Sequence, residues 1–288
     1  MKILVTGGAG FVGSVLVPML LSKGYKVKVI DNLMYGINGL FGCFNHKNFE
    51  FVKGDIKDVV LMQKVTKDID VVIHLAALVG YPICKKYEDD AFMVNVRGVA
   101  VLDGVLSKNK LVIYPSTDSC YGSLGELCTE ETPLKPLTLY GETKATAETL
   151  LRRRRNTIIL RFATGFGVSP RMRLDLLIND FVYKAVKERN LIVYERHYRR
   201  AFVHVVDMAR SLIFALKNAD KMRGKVYNVG SEKLNLTKKQ VVELIQKKVK
   251  YYLHYADFGK DADQRNYKVS CKKMRELGFE TQVDLEKG

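Results

Sequence analysis

Short apolar runs alternate with longer amphipathic stretches from the start of the chain. Residues 2–6 (KILVT) and 26–30 (KVKVI) are strand-length, and residues 12–21 between them carry apolar side chains at helical spacing. Residues 49–52 read as a third strand and 59–66 as a helix rich in Val, Leu and Lys. The run 70–77 is apolar throughout, as expected for a parallel strand covered on both faces. A helix over about 89–107 precedes a fifth strand at 111–114, and a helix from Tyr140 through Leu151 precedes a sixth at 157–162. This alternation predicts an α/β fold with a doubly wound parallel sheet, whose ligands sit beyond the C-terminal strand ends. Strands at 191–194 and 227–230 follow, with an amphipathic helix at 236–249 that Thr237 is placed to cap. The expected division is a nucleotide-binding domain over 1–167, with the chain returning to it near 191–218, and a smaller α/β lobe over most of 168–288.

The turn after the first strand reads TGGAGFVG, with Gly7, Gly10 and Gly13 opening the first helix. Glycine at these places gives a tight turn, lets the main chain approach a pyrophosphate, and lets the helix pack closely on the strand. Phe11 and Val12 lie in the same turn, and the helix N-terminus directs unpaired N–H groups at the phosphates. The second strand ends in Asp31-Asn32, at the spacing of a carboxylate that accepts from an adenosine ribose. Such a carboxylate repels a 2′-phosphate, and no arginine stands beside it, so the expected cofactor is NAD and not NADP. Asp55 and Ile56, in GDI at the end of the third strand, are placed to meet the adenine. Leu75, Ala76 and Ala77 end the fourth strand with side chains that leave room for a dinucleotide.

The fifth strand runs into the hydroxyl-rich string STDSCYG at 116–122, and YGETK at 140–144 opens the next helix. Tyr140 and Lys144 share one helix face. An ammonium beside a phenol favours the phenolate, which equips Tyr140 as a general base, and the Thr117 hydroxyl is placed to share the proton. Tyr-x-x-x-Lys spacing alone occurs on many amphipathic helices; the ordered set of motifs is specific.

That set, TGGAGFVG, GDI, HLAA at 74–77, the helix around Asn95, STDSCYG and YGETK, resembles the extended short-chain dehydrogenase/reductase family, in particular its NAD-dependent nucleotide-sugar epimerases and dehydratases. The resemblance implies a Rossmann fold, Tyr140 as base, Lys144 on the nicotinamide ribose and Thr117 as proton partner. It also implies substrate contacts from Asp118, Ser119, Thr164, Arg200 and Arg265, the two arginines holding the diphosphate of a UDP- or GDP-linked sugar. The implied reaction oxidises the sugar 4-hydroxyl through a 4-keto intermediate, as a 4-epimerase. A net 4-dehydrogenase acting on a GDP-heptose is the alternative suggested by IYPSTDSCYG and SPRMRLDLL. Dehydratase branches carry Thr-Asp-Glu where this chain has Thr117-Asp118-Ser119, which disfavours elimination. A homodimer paired through the Asn95 and Tyr140 helices is also implied. The non-enzymatic alternatives on the same fold are an RNA binder and an NAD sensor, neither of which needs an intact Thr117, Tyr140 and Lys144.

Charge changes the picture little. The formal net charge is +16 over 288 residues, with concentrations at residues 152–155 and 196–200. The first run reads as a solvated helix end where cations suit the dipole, and nucleic acid is not the expected partner. No apolar run has the length of a membrane span, and the first one reads as strand one, not a leader, so a cytoplasmic protein is expected. Five scattered cysteines without a C-x-x-C pair point to free thiols, with neither disulfides nor a metal site. His204, isolated in an apolar run, reads as a packed structural residue, and Asn95 as a local hydrogen-bond partner.

Overall fold

The computed structural model describes residues 1–123, 126–256 and 265–288. Seven parallel strands form its main sheet: β1 (Lys2–Thr6), β2 (Lys26–Asp31), β3 (Phe49–Lys53), β4 (Val71–His74), β5 (Leu111–Thr117), β6 (Thr157–Phe162) and β7 (Lys225–Val229). Their order is β3-β2-β1-β4-β5-β6-β7. The order reverses between β1 and β4, which opens a crevice above the first glycine turn, the place where such sheets bind ligands.

Helices cover both faces. On one lie α1 (Gly13–Ser22) and a later helix, Val205–Lys217; their apolar faces share a core with Ile3, Val5 and Val29. On the other lie α2 (Val59–Thr66), a long helix α3 over 88–105, and α4 (Leu139–Arg152), packed on Leu4, Val72, Val112 and Ile159. The residues of β4 and β5 are buried throughout, which explains their unbroken apolar reading.

β4 is shorter than the apolar run that suggested it. The chain leaves the ladder after His74, where the Leu75 N–H donates to the Thr6 carbonyl at 3.0 Å and the Ala76 N–H to Thr6 Oγ1 at 3.2 Å. A Cβ on Gly7 would lie 2.6 Å from the Ala76 nitrogen, and Gly7 has φ of +69°, so only glycine permits this approach.

α3 contains a π-helical turn, Met93–Arg97. Asn95 within it accepts from the Leu78 N–H at 2.8 Å and donates to the Leu78 carbonyl at 2.9 Å and to Thr143 Oγ1 at 3.1 Å. One buried amide thus ties the loop after β4 to the helix that carries Tyr140.

The smaller lobe contains a three-stranded sheet of Thr164–Phe166, Arg199–His204 and Asn235–Thr237, and the parallel pair Asn190–Tyr194 with Tyr252–Ala256. The helix Lys238–Gln246 starts with a capping box in which Thr237 and Gln240 each accept the other's backbone N–H. His204 is buried and caps Val205–Lys217, its Nδ1 accepting from the Val206 N–H at 3.3 Å. All five cysteines are free and buried. No described helix is long and apolar enough to cross a membrane.

The basic run at 152–155 is not uniformly solvated. Arg154 is buried and donates to the carbonyls of Leu106 and Lys110, both at 3.1 Å, and of Ser107, while pairing with Asp103 at 3.2 Å. It closes the turn between α3 and β5 by gathering three of its carbonyls on one guanidinium.

Deeper still, Arg161 on β6 meets Glu148 on α4 through two bonds, Nη2 to Oε1 at 2.6 Å and Nε to Oε2 at 3.1 Å, with both side chains 1% exposed. Replacing Glu148 by Ala strands a buried cation, and the expected loss is about 3–5 kcal/mol. Urea unfolding followed by circular dichroism checks this as a lowered midpoint at unchanged slope.

Candidate active site

A cleft of about 720 Å³ opens over the C-terminal ends of β1, β2, β4 and β5. Gly7, Gly10, Phe11, Val12 and Gly13 line it at the mouth of α1, and Asp31, Asn32, Asp55 and Ile56 line it at the ends of β2 and β3. Leu75, Ala76 and Ala77 form a further wall, and Thr117, Asp118, Ser119, Tyr140, Lys144, Thr164 and Arg265 complete it. Residues widely separated in sequence converge because parallel strands all end on the same edge.

Asp31 accepts from the Ala9 N–H at 3.0 Å and the Leu33 N–H at 2.8 Å, which fixes the carboxylate at the rim of the cleft. Burial pushes its pKa up, and the two backbone donors oppose that. These features fit NAD: a glycine turn without side chains against the phosphates, an ordered carboxylate for the ribose, and no cation at Asn32 or Leu33 to pair with a 2′-phosphate.

β5 continues as a strand through Thr117, whose hydroxyl accepts from the Ser119 N–H at 3.2 Å and bonds the Ser119 hydroxyl at 3.0 Å. The Thr138 side chain caps α4 by accepting from the Gly141 N–H at 3.2 Å, which sets Tyr140 and Lys144 in the first turns of the helix. Lys144 is buried, and its ammonium stands 4.0 Å from the centre of the Tyr114 ring.

The electrostatics differ from the simple Tyr-Lys expectation. Burial pushes Tyr140 above the ordinary phenol range and Cys120 adds to this, while Arg173 and the hydrogen bond with Thr117 pull it down. Burial also lowers Lys144 to about 7. The Lys144 ammonium faces the ring of Tyr114 on β5. His74 is lowered to about 3 by burial, with Lys144 adding to the effect, and its Nδ1 lies 2.9 Å from Thr6 Oγ1. It stays neutral, buried beneath the sheet end.

Arg265 reaches into the cleft, donating to Ser119 Oγ and, at 3.3 Å, to the Tyr267 hydroxyl; its Nη1 lies 3.8 Å from Asp118. Asp263 and Gln264, from the same expected diphosphate segment, lie outside the described residues. Arg200 is not among the described residues that line the cleft. It is 1% exposed in the three-stranded sheet, and its Nη1 turns back to the Arg199 carbonyl at 3.1 Å. Strand alternation carries its side chain into the lobe.

The residues that sequence reading missed lie in the segment 169–175. Ser169 Oγ donates to the Phe11 carbonyl at 2.7 Å and lies 2.8 Å from Ser14 Oγ. Arg171 stacks on the Tyr35 ring at 3.9 Å, and Arg173 Nη2 donates to the Val79 carbonyl at 3.0 Å. Arg171, Arg173, Tyr35 and Lys86 all line the cleft. The only signal was the pair of arginines two residues apart in SPRMRLDLL, the string that also suggested the GDP-heptose alternative.

Fold and site together define a dinucleotide-binding enzyme of the Rossmann class whose cleft brings Thr117, Tyr140 and Lys144 together. The chain belongs to the NAD-dependent epimerase/dehydratase family, whose model matches residues 3–230, and its cofactor is NAD. It is 33% identical to the low-salt glycan biosynthesis protein Agl12 of Haloferax volcanii, over 100% of this chain and 96% of that protein. Among solved structures it is similar to the dTDP-glucose 4,6-dehydratase of Bacillus anthracis in complex with NAD (31% identity, TM-score 0.87, 100% of this chain and 94% of that one). It is also similar to the UDP-glucose 4-epimerase of Thermotoga maritima with UDP-glucose (27% identity, TM-score 0.87, 100% and 96%).

Two predictions follow from the electrostatics. Lys144 is depressed in the folded protein, so between about pH 7 and its unfolded value of 10.5 the unfolded chain binds more protons. Stability from this group therefore rises with pH through that window and is lost as pH falls toward 7; urea midpoints from pH 7 to 10 will rise less steeply in Lys144→Met. Replacing Asp31 by Ser removes the ribose acceptor and the repulsion of a 2′-phosphate, so NAD affinity falls by roughly tenfold while NADP binding improves relative to NAD. Isothermal titration with both cofactors measures this.

Proposed function

We propose that this protein oxidises a nucleotide-diphosphate sugar at its 4-hydroxyl and acts as a 4-epimerase through a 4-keto intermediate. The observation that carries the reading is the meeting of Thr117, Tyr140 and Lys144 in one cleft with Ser119, not a carboxylate, beside Asp118. In this reading Tyr140 takes the hydroxyl proton, with Thr117 bridging phenol and sugar. Lys144 holds the nicotinamide ribose. Bound NAD supplies the hydride acceptor for the sugar carbon. Arg265, already aimed across the cleft at Ser119, supplies a planar donor fork for the diphosphate.

Loss of water from the neighbouring carbon would need a second acid and base close to the ketone. Ser119 cannot serve, and Asp118 is buried facing Arg265 at 3.8 Å. The same groups therefore support oxidation and its reversal better than elimination, although several similar structures are 4,6-dehydratases.

Incubating the NAD-loaded protein with UDP-, dTDP- and GDP-sugars in turn, with absorbance at 340 nm and product separation, tests the reading. An epimer with no net NADH is the expected result. Persistent stoichiometric NADH with a keto-sugar makes it a dehydrogenase, and a 6-deoxy-4-keto product makes it a dehydratase. Tyr140→Phe is expected to lower kcat by about 10²–10⁴-fold while NAD binding is kept.

A further inference from the structure

We propose that Arg171 and Tyr35 latch the cleft over bound NAD, so that the cofactor leaves only when their contact opens. The inference goes beyond the proposed reaction and rests on NAD lying along the glycine turn with its ribose at Asp31.

The latch is built from two sides of the cleft. On the β2 side Asp31 holds a turn: its Oδ1 accepts from the Leu33 N–H at 2.8 Å, and the Gly36 N–H donates to the Leu33 carbonyl at 2.9 Å. Leu33 takes φ of +62°, a conformation that a leucine keeps only where its surroundings hold it. The carboxylate expected to bind the ribose therefore also sets the turn that presents Tyr35 at the cleft rim. On the other side Ser169 ties the segment 169–175 to the Phe11 carbonyl at 2.7 Å. Two residues on, Arg171 lays its guanidinium over the Tyr35 ring, 3.9 Å from its centre. Gly39 closes the joint from behind: a Cβ there would lie 2.7 Å from Ser14 Cβ, 3.1 Å from the Ala9 carbonyl oxygen and 3.5 Å from Arg171 Cβ. The loop after β2, the start of α1 and the stem of Arg171 thus meet at one point.

The two arginines of the segment are held differently. Arg173 is paired with Asp175, Nε to Oδ1 at 3.1 Å, and reaches the Val79 carbonyl. Arg171 has no carboxylate partner among the described residues; besides the ring, its Nη1 donates to the neighbouring Met172 carbonyl at 3.4 Å. Tyr35 is 46% exposed, so the contact lies at the surface of the cleft, where it can part without disturbing the core. A cation on an aromatic face holds weakly enough to open and reclose, and strongly enough to slow the escape of what it encloses. With Ser169 on the glycine turn, Arg171 on the loop after β2 and Arg173 on the loop after β4, the segment crosses the line along which Asp31, the glycine turn and Ala76 lay out a dinucleotide. The Arg171–Tyr35 contact closes its ribose side. In the proposed reaction a closed latch keeps the reduced cofactor in place to return its hydride.

Protein loaded with radiolabelled NAD and chased with excess unlabelled NAD gives the release rate without any sugar. The proposal expects release to quicken by about 2- to 30-fold in Arg171→Ala and in Tyr35→Ala, the range that a cation on an aromatic face supports. Tyr35→Phe keeps the ring and is expected to stay within about twofold of wild type. The double variant Arg171→Ala/Tyr35→Ala is expected to release NAD no faster than the faster single variant, because either change alone opens the latch. Arg171→Gln and Arg171→Lys repeat the comparison with the stem kept, for use if an alanine variant melts early without NAD; release is expected to be faster in the glutamine variant. Unchanged release in Tyr35→Ala, effects that multiply in the double variant, or Tyr35→Phe as fast as Tyr35→Ala would each overturn the latch. Fast release confined to the Arg171 variants overturns it too, and makes that arginine a direct phosphate ligand. Absence of turnover with every sugar nucleotide sinks the proposed reaction instead, and the release rates still decide this one.

Discussion

The position of the helix that carries Tyr140 rests on a charge pair buried away from water. Arg161 projects from near the C-terminal end of β6 and Glu148 from α4, about two turns beyond Tyr140. Removing both from solvent is costly, and two near-parallel bonds offset the cost only while both partners stay in register. The remaining donors of Arg161 extend the constraint, since Nη1 reaches the Tyr121 hydroxyl at 2.9 Å and the Glu130 carbonyl at 3.2 Å. Tyr121 in turn donates to Asn228 Oδ1 at 2.7 Å, and the Asn228 N–H donates to Glu130 Oε1 at 2.7 Å. One buried network thus joins the end of β5, β6, β7 and α4. A small slip of that helix would break several of its bonds at once, which fixes Tyr140 and Lys144 relative to Thr117.

Much of this arrangement was legible in the sequence, for identifiable reasons. Strands buried on both faces must be apolar, and glycines forced by backbone contact cannot drift, so β1, β2, β5 and the turn at Gly7–Gly13 read directly. Asp31, Thr117 and Tyr140 followed because their roles demand a residue type at a strand end or helix start. What did not read were contacts made by flexible, charged side chains across long stretches of sequence. Arg154 looks solvated in a run of four arginines, and only the turn it closes shows otherwise. Arg200 and Arg265 carry the same chemistry and similar motif support, yet Arg200 is buried in the three-stranded sheet and Arg265 lines the cleft. The π-turn at Asn95 has no periodicity of its own; a single inserted residue in a helix is invisible until its amide is seen spanning to Leu78 and Thr143.

The cleft also shows how a site can depend on its smaller lobe before any substrate arrives. Ser169, Arg171 and Arg173 touch, in turn, the first glycine turn, the loop after β2 and the loop after β4. Each contact pairs the segment 169–175 with a different loop of the nucleotide-binding layer. The two halves are therefore joined by two hydrogen bonds and a cation–π stack as well as by apolar packing.

The five buried thiols give the folded state a chemical signature of its own. Burial raises Cys84 and Cys128 to about 11 and Cys120 and Cys271 to about 12, far from the thiolate that alkylating agents and oxidants attack. Cys84 and Cys120 flank Tyr140, Cys128 and Cys271 border the Asn228 network, and Cys43 sits beneath the glycine turn, so the sulfurs sample separate regions. Their modification is gated by opening of the chain around each one. In a reducing environment they are silent packing atoms; under oxidative stress, the order in which they react would record the order in which the molecule comes apart.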